Sequence, residues 1–203
     1  MALTPRPVVL ASASIARAAL LRDAGVDFTI DPADIDEAAI KLEHQARGED
    51  AAASCALTLS GAKAAVVARR HPEALVIGAD QLLVCDGEWF DKPRDLAEAA
   101  DHLRRLRGRD HILVTAACLY GNGKRLWQAI SIPRLTMRRF GDAFLAGYIA
   151  AEGKTVLGSV GAYRIEGRGV QLFARIEGDH FAILGLPLLE LLGCLREHGA
   201  LGE

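Results

Sequence analysis

Apolar residues come in short runs along this chain, separated by stretches with helical spacing. Residues 8–11 are the first run and predict a buried strand. Beyond Ser12 and Ser14, Leu20, Leu21 and Ala24 share one helix face, and Gly25 supplies a C-terminal cap. Residues 28–30 read as a second strand, and Asp34-Ile35-Asp36-Glu37 as an acidic turn. From residue 49 to 71 the chain is alanine-rich and helical, until Pro72 stops it. Residues 74–77 and 82–85 predict two short strands divided by Gly78-Ala79-Asp80-Gln81, and Asp86-Gly87 predicts a hairpin turn.

Asp95 with Glu98 is a capping box for a helix whose stripe is Leu96, Ala99, Leu103 and Leu106. Residues 112–120 and 126–137, joined through Gly121-Asn122-Gly123, predict a long antiparallel hairpin. Residues 142–151 are helical, 153–169 glycine-rich and 170–176 a strand. Pro187 opens a last helix with Leu188, Leu191, Leu192 and Leu195 inward. Alternating strands and helices, interrupted by a hairpin, predict an α/β fold with a mixed sheet. No internal repeat and no Pro- or Ser-rich linker divides it, so residues 1–203 are expected to form a single domain.

Composition narrows the partners. The chain is 51% apolar but only 5% aromatic, and Ala, Leu and Val supply the difference, which suits helices packed on a sheet. Against 26 acidic residues stand 24 basic ones, a formal net charge of -2. No global field draws a nucleic-acid polymer or an anionic membrane, and neither is expected as a partner. Cys55, Cys85, Cys118 and Cys194 lie far apart in apolar stretches, as buried reduced thiols do. The N-terminus has no long apolar segment and no unbroken run of about 18 apolar residues occurs, so a cytoplasmic protein is expected.

Three groups of residues invite chemistry. Ser14 and Arg17 sit where a strand turns into a helix, a place whose free N–H groups bind anions. A phosphate there would also relieve Arg17, a cation in the first helical turn on the inward face. The segment alone is better read as an N-cap serine with an arginine reaching water. Asp80, beside a buried strand, suits a metal or a reacting water, and equally a local Asx turn. Lys63 interrupts an Ala-rich helix between small residues, Lys92 precedes the rigid Pro93, and Glu37 ends the acidic turn; singly each is a surface charge.

In order along the chain these segments resemble the Maf family of nucleoside triphosphate pyrophosphatases. LASASIARAALL resembles the family's LASxSPRRxxLL, DIDE its acidic turn, and AKA around Lys63 its helical EKA. GADQLLVCDGEWFDKP resembles the G[AS]D strand with its DGE and GKP, and GAYRIEGRGVQLFARIEGDHFAILGLPL the C-terminal block. The resemblance implies an elongated, twisted mixed sheet flanked by helices, with a cleft between two lobes, and a homodimer. It implies cleavage of a nucleoside triphosphate between the α- and β-phosphates with Mg²⁺ or Mn²⁺. Asp80, Glu37 and Lys92 would then be catalytic, with Asp80 and Glu37 on the metal. Ser14, Arg17, Lys63 and Lys92 would bind phosphate.

Gln81 and Glu166 point to the base. Pyrimidine-preferring members read ADT and GIQG where this chain reads ADQ and RIEG, and the pair resembles the 7-methyl-GTP branch. The family opening carries a proline and two adjacent arginines. Here Ile15, Ala16 and Ala18 surround Arg17, the one arginine retained, and Gly158-Ser159-Val160 stands where those members carry DKA. A catalytically weakened, nucleotide-binding paralogue with a regulatory role in cell division is the competing expectation; a dTTP- or UTP-preferring pyrophosphatase is another.

Overall fold

Alternation along the first strands sets the layers. In this computed structural model, which describes residues 5–48 and 51–202, β1 (Val8–Leu10) is buried along its length. It pairs in parallel with β2 (Thr29–Ile30) on one side and β3 (Leu75–Cys85) on the other. The remaining strands are β4 (Glu88–Phe90), β5 (Asp110–Gly121), β6 (Lys124–Ser131), β7 (Arg134–Met137) and β8 (Phe173–Glu177). The eight strands make one mixed sheet in the order β2-β1-β3-β5-β7-β8, with β4 paired to β3 and β6 to β5. The expected α/β class with a mixed, helix-flanked sheet is therefore what forms.

The chain divides into two compact units. One runs through Gln81 and adds Thr115–Ser131 and the segment from Asp179; the other comprises Leu82–Val114 and Ile132–Gly178. In the first unit, Val8, Leu10, Leu75, Ile77, Ala79, Ala117 and Leu119 pack against α1 (Ile15–Asp23) and α7 (Leu188–Glu197). The opposite face, with Val9, Val76 and Cys118, meets Ala64 and Val67 of α3 (Ala51–Ala68). Such two-sided burial explains why these strands read as plain apolar runs. Helix α2 (Glu37–Gln45) lies along α3, where His44 Nδ1 is 3.0 Å from Ser54 Oγ.

In the second unit α4 (Leu96–Leu106) packs on α5 (Asp142–Glu152) and on the tight turns that follow it. Asp95 caps α4, its Oδ1 accepting from Glu98 N at 2.8 Å, while Glu98 turns its carboxylate to Arg94 N and Nε. β7 pairs antiparallel with the start of β5 and with β8.

Several expectations need correction. β3 is one strand of eleven residues, so Gly78-Ala79-Asp80-Gln81 lies inside it and not in a loop. The acidic segment opens a helix, with Asp36 Oδ1 accepting from Ala39 N at 2.9 Å. Pro133 breaks the second hairpin arm into β6 and β7. Val170 lies in a 3-10 turn, Arg168–Leu172, and β8 begins only at Phe173. A four-residue helix, α6 (His180–Ile183), was not anticipated by the apolar pattern. The expected helix start at Glu49 lies outside the described residues.

All four cysteines are free and buried. By length and composition α3 is able to cross a membrane, with mean hydropathy 1.5, but 61% of it is buried in the protein's own core. Ser54, Thr58, Ser60 and Lys63 are why the sequence shows no unbroken apolar run there.

Candidate active site

Gly78 brings α3 against the sheet, and the contact places a cation. A Cβ on Gly78 would stand 2.1 Å from the Ser60 carbonyl oxygen and 2.8 Å from Ala64 Cβ, so only glycine fits. Two residues along the same strand face, Asp80 meets Lys63, one turn along α3 from Ser60. Lys63 Nζ is 2.6 Å from Asp80 Oδ1 and 2.9 Å from Glu37 Oε1. Asp80 and Lys63 are buried, while the Glu37 side chain is 44% exposed. One ammonium thus holds two carboxylates together, one in the core and one open to solvent, a strong charge-assisted arrangement.

Arg17, in the same unit, is buried as Lys63 is. Its Nε donates to Gly185 O (2.9 Å), and its Nη1 to Ala79 O (3.0 Å) and Ser12 Oγ (3.1 Å). Burial pushes the guanidinium's pKa below its ordinary value, and the negative charges of Asp80 and Glu37 raise it again. Ser14 caps α1, its Oγ accepting from Arg17 N at 3.4 Å, and its own N–H donates to Ser12 Oγ at 3.2 Å. Ile15 is 87% exposed at that helix start.

Gln81 follows Asp80 and, by strand alternation, faces the other side of the sheet. Its Nε2 donates to Thr115 Oγ1 (2.8 Å), Ala182 O (2.9 Å) and Ile183 O (3.2 Å). Two carbonyls about one terminal atom require that atom to be the amide nitrogen.

The sequence-derived residues therefore fall into two sets. Glu37, Lys63, Asp80, Arg17, Ser14 and Gln81 belong to the first unit, and the first three touch. Lys92 and Glu166 belong to the second unit. Lys92 is exposed just beyond β4, before the buried Pro93. Glu166 is exposed and accepts from Arg164 Nε at 3.0 Å. Ser12, Thr115 and Gly185 support the site yet were not singled out from sequence. Thr115 did carry a signal, as the lone hydroxyl residue in the apolar run 112–119.

The mixed, helix-flanked sheet is consistent with a Maf-like fold. Residues 7–198 match the Maf-like protein family, and the chain belongs to it. It is similar to a nucleoside triphosphate pyrophosphatase of Granulibacter bethesdensis, 52% identical over 96% of this chain and 98% of that one. One of the same name from Rhodospirillum rubrum is 50% identical over 98% of both chains. A 7-methyl-GTP pyrophosphatase of Rhizobium meliloti is 48% identical over 96% of this chain and 97% of that one.

Proposed function

We propose that this chain hydrolyses the α–β phosphoanhydride of a modified guanine nucleotide, 7-methyl-GTP above others, in the cytoplasm, releasing the monophosphate and pyrophosphate. The chain is a nucleoside triphosphate pyrophosphatase, a hydrolase of phosphoanhydrides, in common with relatives similar over nearly their whole length. The observation that carries the reading is Lys63 Nζ between Glu37 and Asp80.

Water adds to the α-phosphorus as the bond to the bridging oxygen breaks, and pyrophosphate leaves with the bond's electron pair. Asp80 takes the proton of the attacking water, while Lys63 fixes that carboxylate's direction. Arg17 and the capped start of α1 meet phosphate oxygens, and Lys92 adds a further positive charge. Carboxylates of Asp80 and Glu37 are the hard oxygen donors that Mg²⁺ or Mn²⁺ takes, and their convergence on one ammonium suits them to share such an ion. When bound, the ion would polarise phosphate oxygens and offset developing charge.

Glu166 carries the base preference. Guanine presents two adjacent donors, N1–H and the exocyclic amine, and a carboxylate's two oxygens accept from both. Its charge also suits the positive ring of a 7-methylated base. Two curated relatives named 7-methyl-GTP pyrophosphatase, at 48% and 45% identity, support this choice. The active form is proposed to be a homodimer.

Pyrophosphate release over a panel of 7-methyl-GTP, GTP, dTTP, UTP and CTP with Mg²⁺ or Mn²⁺ tests the reading. The expected kcat/KM favours 7-methyl-GTP over the pyrimidines by roughly ten- to a hundredfold, and Glu166→Gln narrows the gap. Equal cleavage of UTP would remove the base assignment and leave the pyrophosphatase intact.

A further inference from the structure

We infer that Gln81 is a positioning residue for Arg17, acting through the backbone turn that ends α6. The inference deepens the proposed function and rests on its reading that Arg17 meets the triphosphate.

Four residues make a helix too short to hold itself, so α6 depends on its ends. At its start, Asp179 Oδ1 accepts from Phe181 N at 2.9 Å. At its end, the Ala182 carbonyl accepts from Gln81 Nε2, from Thr115 Oγ1 at 2.9 Å and from Gly185 N at 3.0 Å. The Ile183 carbonyl takes a further bond from Gln81 Nε2. Gly185, at φ +111, turns the chain so that its own carbonyl receives Arg17 Nε. A Cβ there would stand 3.1 Å from that Nε. Arg17 Nη1 then returns to Ala79 O.

These links close a ring: Ala79 to Arg17, Arg17 to Gly185, along the backbone to Ala182, then to Gln81 and through Asp80 back to Ala79. Arg17 has a long flexible stem, and the two carbonyls that fix its heading are Ala79 O and Gly185 O. The first belongs to a rigid strand. The second belongs to a turn held in place by the Gln81 amide. Both N–H groups of that amide are directed at three acceptors, so its donors are committed to Thr115 and the end of α6. Its influence passes through Arg17, and Arg17 addresses phosphate, which every nucleoside triphosphate shares.

Four variants, Gln81→Ala, Gln81→Glu, Arg17→Ala and the double variant of Arg17→Ala with Gln81→Ala, would be assayed for kcat and KM on 7-methyl-GTP and UTP. Inhibition by inorganic tripolyphosphate, which has no base, and thermal melting complete the set. Gln81→Ala is expected to raise both KM values by the same factor, roughly three- to tenfold for a lost set of hydrogen bonds. Tripolyphosphate inhibition should weaken by that factor, with kcat little changed. Gln81→Glu should be worse, since a carboxylate would face two carbonyls. The double variant Arg17→Ala with Gln81→Ala should bind no more weakly than Arg17→Ala alone. A shifted ratio of KM values with unchanged tripolyphosphate inhibition would overturn the inference in favour of base contact. A lowered melting temperature with unchanged KM would overturn it in favour of a purely structural bond. If Arg17→Ala weakens tripolyphosphate and Gln81→Ala does not, only the Gln81 inference fails. If Arg17→Ala has no effect, the phosphate reading of Arg17 fails with it.

Discussion

Gly78 lies so close under α3 that a side-chain carbon on it would stand 2.1 Å from the Ser60 carbonyl oxygen. Lys63 is three residues beyond Ser60, and Asp80 two beyond Gly78, so this contact sets the 2.6 Å between ammonium and carboxylate. Gly78→Ala must push α3 away from the strand. Overpacking of a filled core costs about 1–3 kcal/mol, and the displaced Lys63 no longer meets Asp80. Urea unfolding and pyrophosphate release should show both a loss of stability and a fall in kcat of tenfold or more. A variant with unchanged turnover would show that Lys63 and Asp80 do not depend on this approach.

Lys63→Met removes the ammonium and leaves the carboxylates of Asp80 and Glu37 facing one another. Removing one partner of a buried pair costs about 3–5 kcal/mol, and Glu37's exposure brings the expected loss nearer the lower figure. Mg²⁺ should raise the variant's melting temperature more than it raises that of the unaltered protein, since the ion replaces the missing charge. An equal response to Mg²⁺ would mean the two carboxylates do not share an ion.

Much of this was legible in the sequence, and the misses have physical causes. Apolar runs at β1, α4 and α7 identified their elements because packing there follows local pattern. Gly78-Ala79-Asp80-Gln81 has the composition of a loop, yet neighbouring strands and α3 hold it as the middle of β3. Tertiary contacts overrode propensity there. Helix α2 was hidden because Leu42, 71% exposed, blurs its apolar stripe. Spacing did not join Lys63, Asp80 and Glu37; only resemblance to a family did, since the contact arises from packing between α2, α3 and β3. The company Gln81 keeps was out of reach for the same reason, because two of its three acceptors, the Ala182 and Ile183 carbonyls, lie 101 and 102 residues away.

His111 gives the protein a pH-sensitive core. It is buried between Tyr163 and Phe173, with Nε2 2.9 Å from Tyr163 Oη, and its Nδ1 has no hydrogen-bond partner. Burial pushes the imidazole down to about 4 from 6.5, against the opposing charge of Asp110. Between those values the unfolded chain takes a proton that the folded one refuses, so stability falls as pH falls through that window. The effect is about 3 kcal/mol from neutrality to pH 4. His111→Phe, which keeps the aromatic packing, should flatten that part of the profile. Parallel pH profiles of unfolding free energy for the two proteins would place the imidazole elsewhere.

Asp80, held by Lys63 at the edge of a buried core, is proposed to perform the hydrolysis. Asp80→Asn conserves shape and can keep an acceptor toward Lys63, but its amide is a poor metal ligand and no base. Pyrophosphate release from 7-methyl-GTP, measured on a variant shown to be folded by its cooperative thermal transition, is the most direct measurement. The predicted result is loss of a hundredfold or more in kcat, the typical contribution of a positioned general base. Turnover within a few fold of the unaltered protein would contradict the assignment.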